Sequence, residues 1–215
     1  RKHTSLKDLS QSLGGSIPTV SRALKDSPEI SRELCTKAKA LAKEMNYRPN
    51  PFAMSLRKNA PRIIGVVVPD IVTHFFASIL NGIENMAIAN GYFVIITTSH
   101  ESYEHEKRNI ENLVNMRVEG IIACLSQETT DFSHISALKD INMPLILFDR
   151  VCLTDQFSSV IADGAQSAQM ATQHLLDNGS KRVAFIGGAN HLDIVKRRKH
   201  GYLEALRENR IPIEK

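Results

Sequence analysis

Apolar side chains recur every three to four residues over the first 45 positions, then give way near residue 63 to short unbroken apolar runs. The first stretch predicts three short helices. Ser5-Leu6-Lys7-Asp8 has the form of a capping box, followed by Leu9 and Leu13 at helical spacing from Leu6. Gly14-Gly15 breaks that helix, and Ser16 caps a second whose first turn tolerates Pro18, because the missing N–H there has no helical partner to lose. Val20, Ala23 and Leu24 share one face of the second helix, which is expected to end near Asp26-Ser27-Pro28. Ser31 caps a third, with Leu34, Ala38, Leu41, Ala42 and Met45 inward. Two helices joined by a four-residue turn containing glycine fit a helix-turn-helix, a geometry that other three-helix bundles share.

Tyr47-Arg48-Pro49-Asn50-Pro51 reads as a turn-rich boundary, and Phe52 to Lys58 as a short potential helix. Beyond it, Ile63–Val68, Tyr92–Thr98, Gly120–Leu125, Leu145–Phe148 and Val183–Ile186 are β-branched runs of buried-strand length. Amphipathic helices alternate with them. One carries Ile79, Leu80, Ile83, Met86 and Ala87 and stops at Asn90-Gly91; a second carries Ile110, Leu113 and Val114. A third carries Ala168, Ala171 and Leu175 and stops at Asn178-Gly179, and a last spans about Asp193 to Asn209. This alternation predicts a parallel, doubly wound α/β body with ligands at the carboxyl ends of its strands. Ile211-Pro212-Ile213 reads as the approach to a further strand, and no initiator Met is present, so a chain truncated at both ends is expected.

Charge sharpens this division. Residues 1–62 hold 13 Lys and Arg against 5 Asp and Glu, whereas residues 63–215 hold 14 against 18. A basic module on a mildly acidic body points to a polyanion partner for the first part alone, although a solvated lysine-rich surface would look the same. Composition is otherwise that of a soluble globular chain, with 42% hydrophobic and 23% charged residues. No apolar run is long enough for a membrane span and Arg1-Lys2-His3-Thr4 opens no signal peptide, so a cytoplasmic, nucleoid-associated protein with no membrane partner is expected. Cys35, Cys124 and Cys152 are odd in number and far apart, as reduced thiols would be. The eight histidines are dispersed, no G-x-S-x-G or Walker loop is present, and Gly187-Gly188 is too little for a dinucleotide fingerprint. Neither an enzyme nor a metal or cofactor site is expected. An exported sugar-binding protein would share the body but not the basic headpiece.

Thr19-Val20-Ser21-Arg22-Ala23-Leu24, followed by Asn46-Tyr47-Arg48-Pro49-Asn50-Pro51, resembles the LacI/GalR family of bacterial transcription regulators. The resemblance runs on through Ile64-Gly65-Val66-Val67-Val68-Pro69-Asp70, Phe75-Phe76, Gly120-Ile121-Ile122 and Phe148-Asp149-Arg150, and so covers essentially the whole chain. It implies a helix-turn-helix headpiece over residues 1–47 and a hinge helix and linker over 48–61. A periplasmic-binding-protein-like sensor would follow, its first lobe over 62–160 and an incomplete second lobe over 161–215.

The function so implied is a repressor, a homodimer on near-palindromic operator DNA whose affinity is set by a small, sugar-like effector. The resemblance places Ile17, Pro18 and Arg22 against bases in the major groove, Arg22 as a bidentate partner of guanine worth ~1–3 kcal/mol of discrimination. Ser5, Leu6, Ser16, Thr19, Ser21, Ser31 and Asn50 would lie at the DNA with them, their polar groups and helix N-termini setting the backbone phosphates. Leu56 would wedge into the minor groove at the operator centre. Gly15 departs from the family, which usually has an apolar residue there, so a less stable headpiece is expected.

For the effector the resemblance points to Phe75, Phe76, Asp149, Arg150, Asp163 and Arg198, the charged groups suiting a polyhydroxylated ligand. Gly164 stands where the family commonly has Asn. Read from the residues alone, Asp149 also fits a loop cap with Arg150 as its partner, and Phe75 a core position. A second lobe ending at residue 215 would leave a half-built cleft that binds effector weakly or not at all.

Overall fold

The computed structural model describes residues 4–47 and 62–213, and the chain forms two compact units, Arg1–Pro61 and Arg62–Lys215. The expected hinge, with Asn50 and Leu56, lies outside the described residues.

In the first unit, α1 (Leu6–Leu13), α2 (Ile17–Ala23) and α3 (Arg32–Glu44) form where their caps predict. The Ser5 hydroxyl accepts from the Asp8 N–H while the Asp8 carboxylate accepts from the Ser5 N–H, closing the capping box. Ser16 and Ser31 each accept from the N–H three residues on, of Thr19 and Leu34. Gly14 ends α1 at φ 65°, a left-handed conformation that suits glycine. Leu9, Val20, Ala23, Cys35 and Ala38 are buried, and Thr4 Oγ1 donates to Met45 O at 2.8 Å, tying the start of the unit to the end of α3. The second helix ends earlier than expected, at Ala23, because residues 24–30 fold back in a turn whose Asp26 takes φ 54°.

The second unit is built on five parallel strands: β1 (Ile63–Val68), β2 (Phe93–Thr98), β3 (Gly120–Ala123), β4 (Leu145–Phe148) and β5 (Ser158–Val160), in the order β2-β1-β3-β4-β5. That is a doubly wound order. Alternate residues of β1 face opposite layers. Val67 packs with Ile110 and Leu113 of α5 (Tyr103–Asn115) and Ile135 and Leu138 of α6 (Ser133–Asp140). Val66 and Val68 pack with Phe76 and Leu80 of α4 (His74–Ala89). Gly65 is needed for this closeness, since a Cβ there would lie 2.7 Å from a Leu113 methyl.

Beyond the sheet, α7 (Gly164–Asp177) and α8 (Asp193–Glu208) pack on each other. A Cβ on Gly201 would fall 1.9 Å from the Ala165 carbonyl oxygen, so glycine sets how closely the two helices approach.

Two expectations are corrected, and two elements were not anticipated. Val183–Ile186 is not a strand: it pairs with no neighbour among the described residues, and Ile186 is 97% exposed. A parallel strand exists only through its partners, whatever its own β-propensity. Met86, Ala171 and Leu175, expected to face inward, are exposed, because no described layer covers those faces of α4 and α7. The short α6 and the polar edge strand β5 carry too weak a pattern to have been anticipated.

Candidate functional site

Two surfaces gather the candidate residues. In the first unit, α2 buries Val20 and Ala23 and leaves Ile17, Pro18 and Arg22 exposed. Pro18 sits in the first turn, where its ring presents apolar surface without breaking a backbone bond. Ser16 Oγ and Thr19 Oγ1 are 2.8 Å apart at the helix N-terminus. The Arg22 guanidinium is tethered at one corner, Nη1 lying 2.9 Å from the Glu29 carboxylate. Ser5, Ser16 and Ser31 are exposed at helix N-termini with hydroxyls that already cap their helices, and Leu6 is half-buried. A Cβ on Gly15 would meet only Val20 Cγ2, at 3.6 Å, so the inward space that glycine leaves adjoins the core of this unit.

In the second unit, a cleft of about 580 Å³ is walled by Phe75 and Ile79 of α4, Phe148 at the end of β4, and Ile194 of α8. Its charged groups are Asp149, Asp193, Arg197 and Arg198. Asp149 follows the last residue of β4 with φ 58°, so the left-handed turn swings its carboxylate out of the strand. Burial pushes that carboxyl above the usual range, while the Arg150 and Arg198 charges draw it down. No hydrogen bond to the Asp149 carboxylate is made among the described residues, which leaves its lone pairs to whatever enters the cleft. Arg198 reaches the cleft over Gly164, where a Cβ would sit 3.4 Å from its Cγ; the departure at Gly164 leaves room for the arginine stem.

The remaining expected residues are placed differently. Phe75 is half exposed in the cleft wall, whereas Phe76 lies behind it, 6% exposed and edge-on to Phe75 and Phe148. Arg150 does not pair with Asp149. Its guanidinium grips Glu101 at 2.6 and 2.9 Å and donates to Leu125 O at 3.2 Å, lining a neighbouring pocket of about 300 Å³. Burial opposes ionisation of Glu101, but hydrogen bonds from Arg150 and the Gln127 N–H, with the Arg150 charge, hold its carboxyl below the usual range. Asp163 caps α7, accepting from the Gln166 N–H at 3.0 Å, and is not part of the cleft lining.

Sequence reasoning passed over Glu101, Asp193 and Arg197. It also missed a buried network beneath the carboxyl end of β3, in which Glu106 accepts from the Ser126 N–H, the Thr129 hydroxyl and His134. One signal was available: Glu106 shares the apolar face of α5 with Ile110 and Leu113, at intervals of four and seven residues.

Known proteins match both units. Residues 5–50 match the family model "Bacterial regulatory proteins, lacI family", and residues 62–215 match "Periplasmic binding proteins and sugar binding domain of LacI family". Catabolite control protein A of Priestia megaterium is 31% identical over 98% of this chain, and the ribose operon repressor of Bacillus subtilis 30% identical over 97%. The chain spans 63% and 62% of their respective lengths. The lac repressor dimer bound to operator and the anti-inducer ONPF superposes with a TM-score of 0.78 and 25% identity, over 98% of this chain and 64% of that one. A helix-turn-helix unit whose capped second helix turns outward, followed by a doubly wound unit with a charged cleft at its strand ends, together with these matches, makes this chain a member of the LacI family of bacterial regulatory proteins.

Proposed function

We propose that the chain is the DNA-binding part and a portion of the sensing part of a transcription repressor, and that it performs no catalysis. The observation that carries this reading is α2, which buries Val20 and Ala23 and turns Ile17, Pro18 and Arg22 outward from a basic unit. A recognition helix needs this: apolar surface for a thymine methyl, a guanidinium for guanine, and a helix N-terminus for phosphate. Ser5, Leu6, Ser16, Thr19, Ser21, Ser31 and Asn50 set the backbone, and Leu56 acts at the operator centre. Two copies bind one near-palindromic operator as a homodimer. The apolar side chains that α4 and β2 leave exposed, Met86 and Phe93, supply the surface on which the copies meet.

The effector site is the cleft holding Phe75, Asp149 and Arg198. Its apolar wall suits a sugar ring face, its carboxylate accepts from hydroxyls and its guanidinium donates to them. Phe76, Arg150 and Asp163 support this site through Phe75, Glu101 and the start of α7. Likeness to the ribose operon and lac repressors favours a sugar. Effector binding alters the spacing of the two hinges and so operator affinity, in the cytoplasm.

Titration of the chain against a pool of random palindromic duplexes at two salt concentrations tests this. Selection of one palindrome with affinity falling steeply as salt rises is expected. Binding without sequence preference would overturn the repressor reading.

A further inference from the structure

Resting on that reading of α2, we propose that Glu29 is a positioning residue that aims Arg22 at its base, giving sequence discrimination at the expense of general affinity for DNA. The contact is a single one, Arg22 Nη1 to Glu29 Oε2 at 2.9 Å, between side chains that are 59% and 67% exposed. Glu29 is not on a loose loop. The N–H groups of Lys25 and Ser27 both donate to Arg22 O at 3.1 Å, and the Ile30 N–H donates to Ser27 O at 3.0 Å. Lys39 of α3 holds the Asp26 carboxylate at 2.6 Å, and Ser31 caps α3 directly after the turn. These bonds hold the backbone on either side of Glu29 beside the last turn of α2, within reach of Arg22.

A guanidinium carries five N–H donors in a rigid plane. With Nη1 tied to Glu29, the edge formed by Nε and Nη2 stays free, and that side-on fork matches the O6 and N7 acceptors of guanine. An untethered arginine at this position has a competing partner, the phosphate backbone, which every sequence offers equally. Glu29 opposes that choice twice. It neutralises Arg22 locally, and its own charge is repelled by phosphate. An acid beside a recognition helix lowers affinity for all duplexes alike, so its contribution has to appear in the difference between right and wrong bases.

The experiment uses the 215-residue chain and a duplex it selects. Arg22→Ala first identifies the G·C pair whose replacement by A·T no longer matters to the variant. Glu29→Gln is then compared with the wild type on the selected duplex, on the A·T replacement and on an unrelated duplex, at two salt concentrations. Loss of about two- to fivefold in discrimination at that one pair is expected, the range an exposed ion pair supports. Binding to the unrelated duplex should tighten and its salt dependence steepen, as one more cation turns to phosphate. In the Arg22→Ala background, Glu29→Gln should leave discrimination unchanged. A wild-type preference that Glu29→Gln leaves intact, or sharpens, overturns the positioning role while the repressor reading stands. A wild-type chain with no preference among duplexes overturns both.

Discussion

Glu106 and His134 meet at 2.9 Å, with side chains 0% and 3% exposed. The same carboxylate accepts from the Thr129 hydroxyl at 2.9 Å and from the Ser126 N–H, so one residue of α5 binds both α6 and the loop after β3. Ser126 Oγ extends the network to Ser99 Oγ at 2.7 Å, at the carboxyl end of β2. The loops that follow β2 and β3 are thus joined to α5 and α6 through one buried carboxyl group.

Removing that carboxylate leaves three buried donors unpaired. Glu106→Ala is expected to destabilise the second unit by about 3 kcal/mol, the order found when one partner of a buried pair is lost. Glu106→Gln, which keeps an acceptor oxygen, should cost less. Urea unfolding measures both, and a loss below about 1 kcal/mol for the alanine variant would show that water or relaxation replaces the network.

Two thiols respond to pH in a predictable direction. Burial pushes Cys124 and Cys152 up to about 12 from an ordinary 9.0. Below pH 9 both are protonated folded or unfolded, and their contribution to stability is fully present. Between pH 9 and 12 the unfolded chain loses these protons and the folded one keeps them, so stability falls as pH rises, by at most about 1.4 kcal/mol per pH unit for each thiol. Cys124→Ala should have a shallower decline in this range, read as Tm against pH. At pH 8, alkylation of both thiols should be slow in the folded chain and fast in denaturant.

Gly15 offers a stabilising substitution. Its φ is not positive, and a Cβ would make ordinary contact with Val20 at 3.6 Å. Gly15→Ala is expected to add about 0.5 kcal/mol to the first unit, by restricting the unfolded chain and packing against Val20. Gly14→Ala should do the reverse, costing about 1 kcal/mol, because φ 65° disfavours an L side chain even though nothing lies within 4 Å. Thermal unfolding of the two variants gives opposite shifts in Tm if backbone conformation decides; shifts of the same sign would refute the distinction.

Asp149 shows the cost of half-burying a carboxylate that accepts no hydrogen bond among the described residues. Its pKa is raised in the folded state by burial, so its contribution to stability is present at low pH and lost as pH rises through the folded value. Asp149→Asn is therefore expected to raise Tm at pH 7 and to narrow the stability gap between pH 7 and pH 4, while weakening effector binding. A lower Tm at pH 7 would mean that the Arg150 and Arg198 charges outweigh the burial.

Much of the architecture is legible in one dimension for a local reason. Ile63–Val68 and Leu145–Phe148 form the expected strands because strands of a doubly wound sheet are covered on both faces and read as unbroken apolar runs. Ser5, Ser16 and Ser31 mark helix starts because a cap is an interaction between residues three apart. Asp149 and Arg198 were found through family resemblance, and the fold brings both to one cleft although 49 positions separate them.

What stayed hidden depends on partners far along the chain. Arg150 pairs with Glu101, and Glu29 reaches back to Arg22 across a turn whose Asp26 takes a left-handed conformation. Val183–Ile186 has the composition of a strand and, among the described residues, no neighbour to pair with; Met86 and Leu175 have the spacing of a core and no layer of described residues over them. The sequence by itself determined where helices start, which runs are strands and which unit is basic, since caps, periodicity and charge are properties of neighbouring residues. Only the tertiary structure decided which charges are buried together and which apolar faces are covered, since burial and pairing belong to the space between elements.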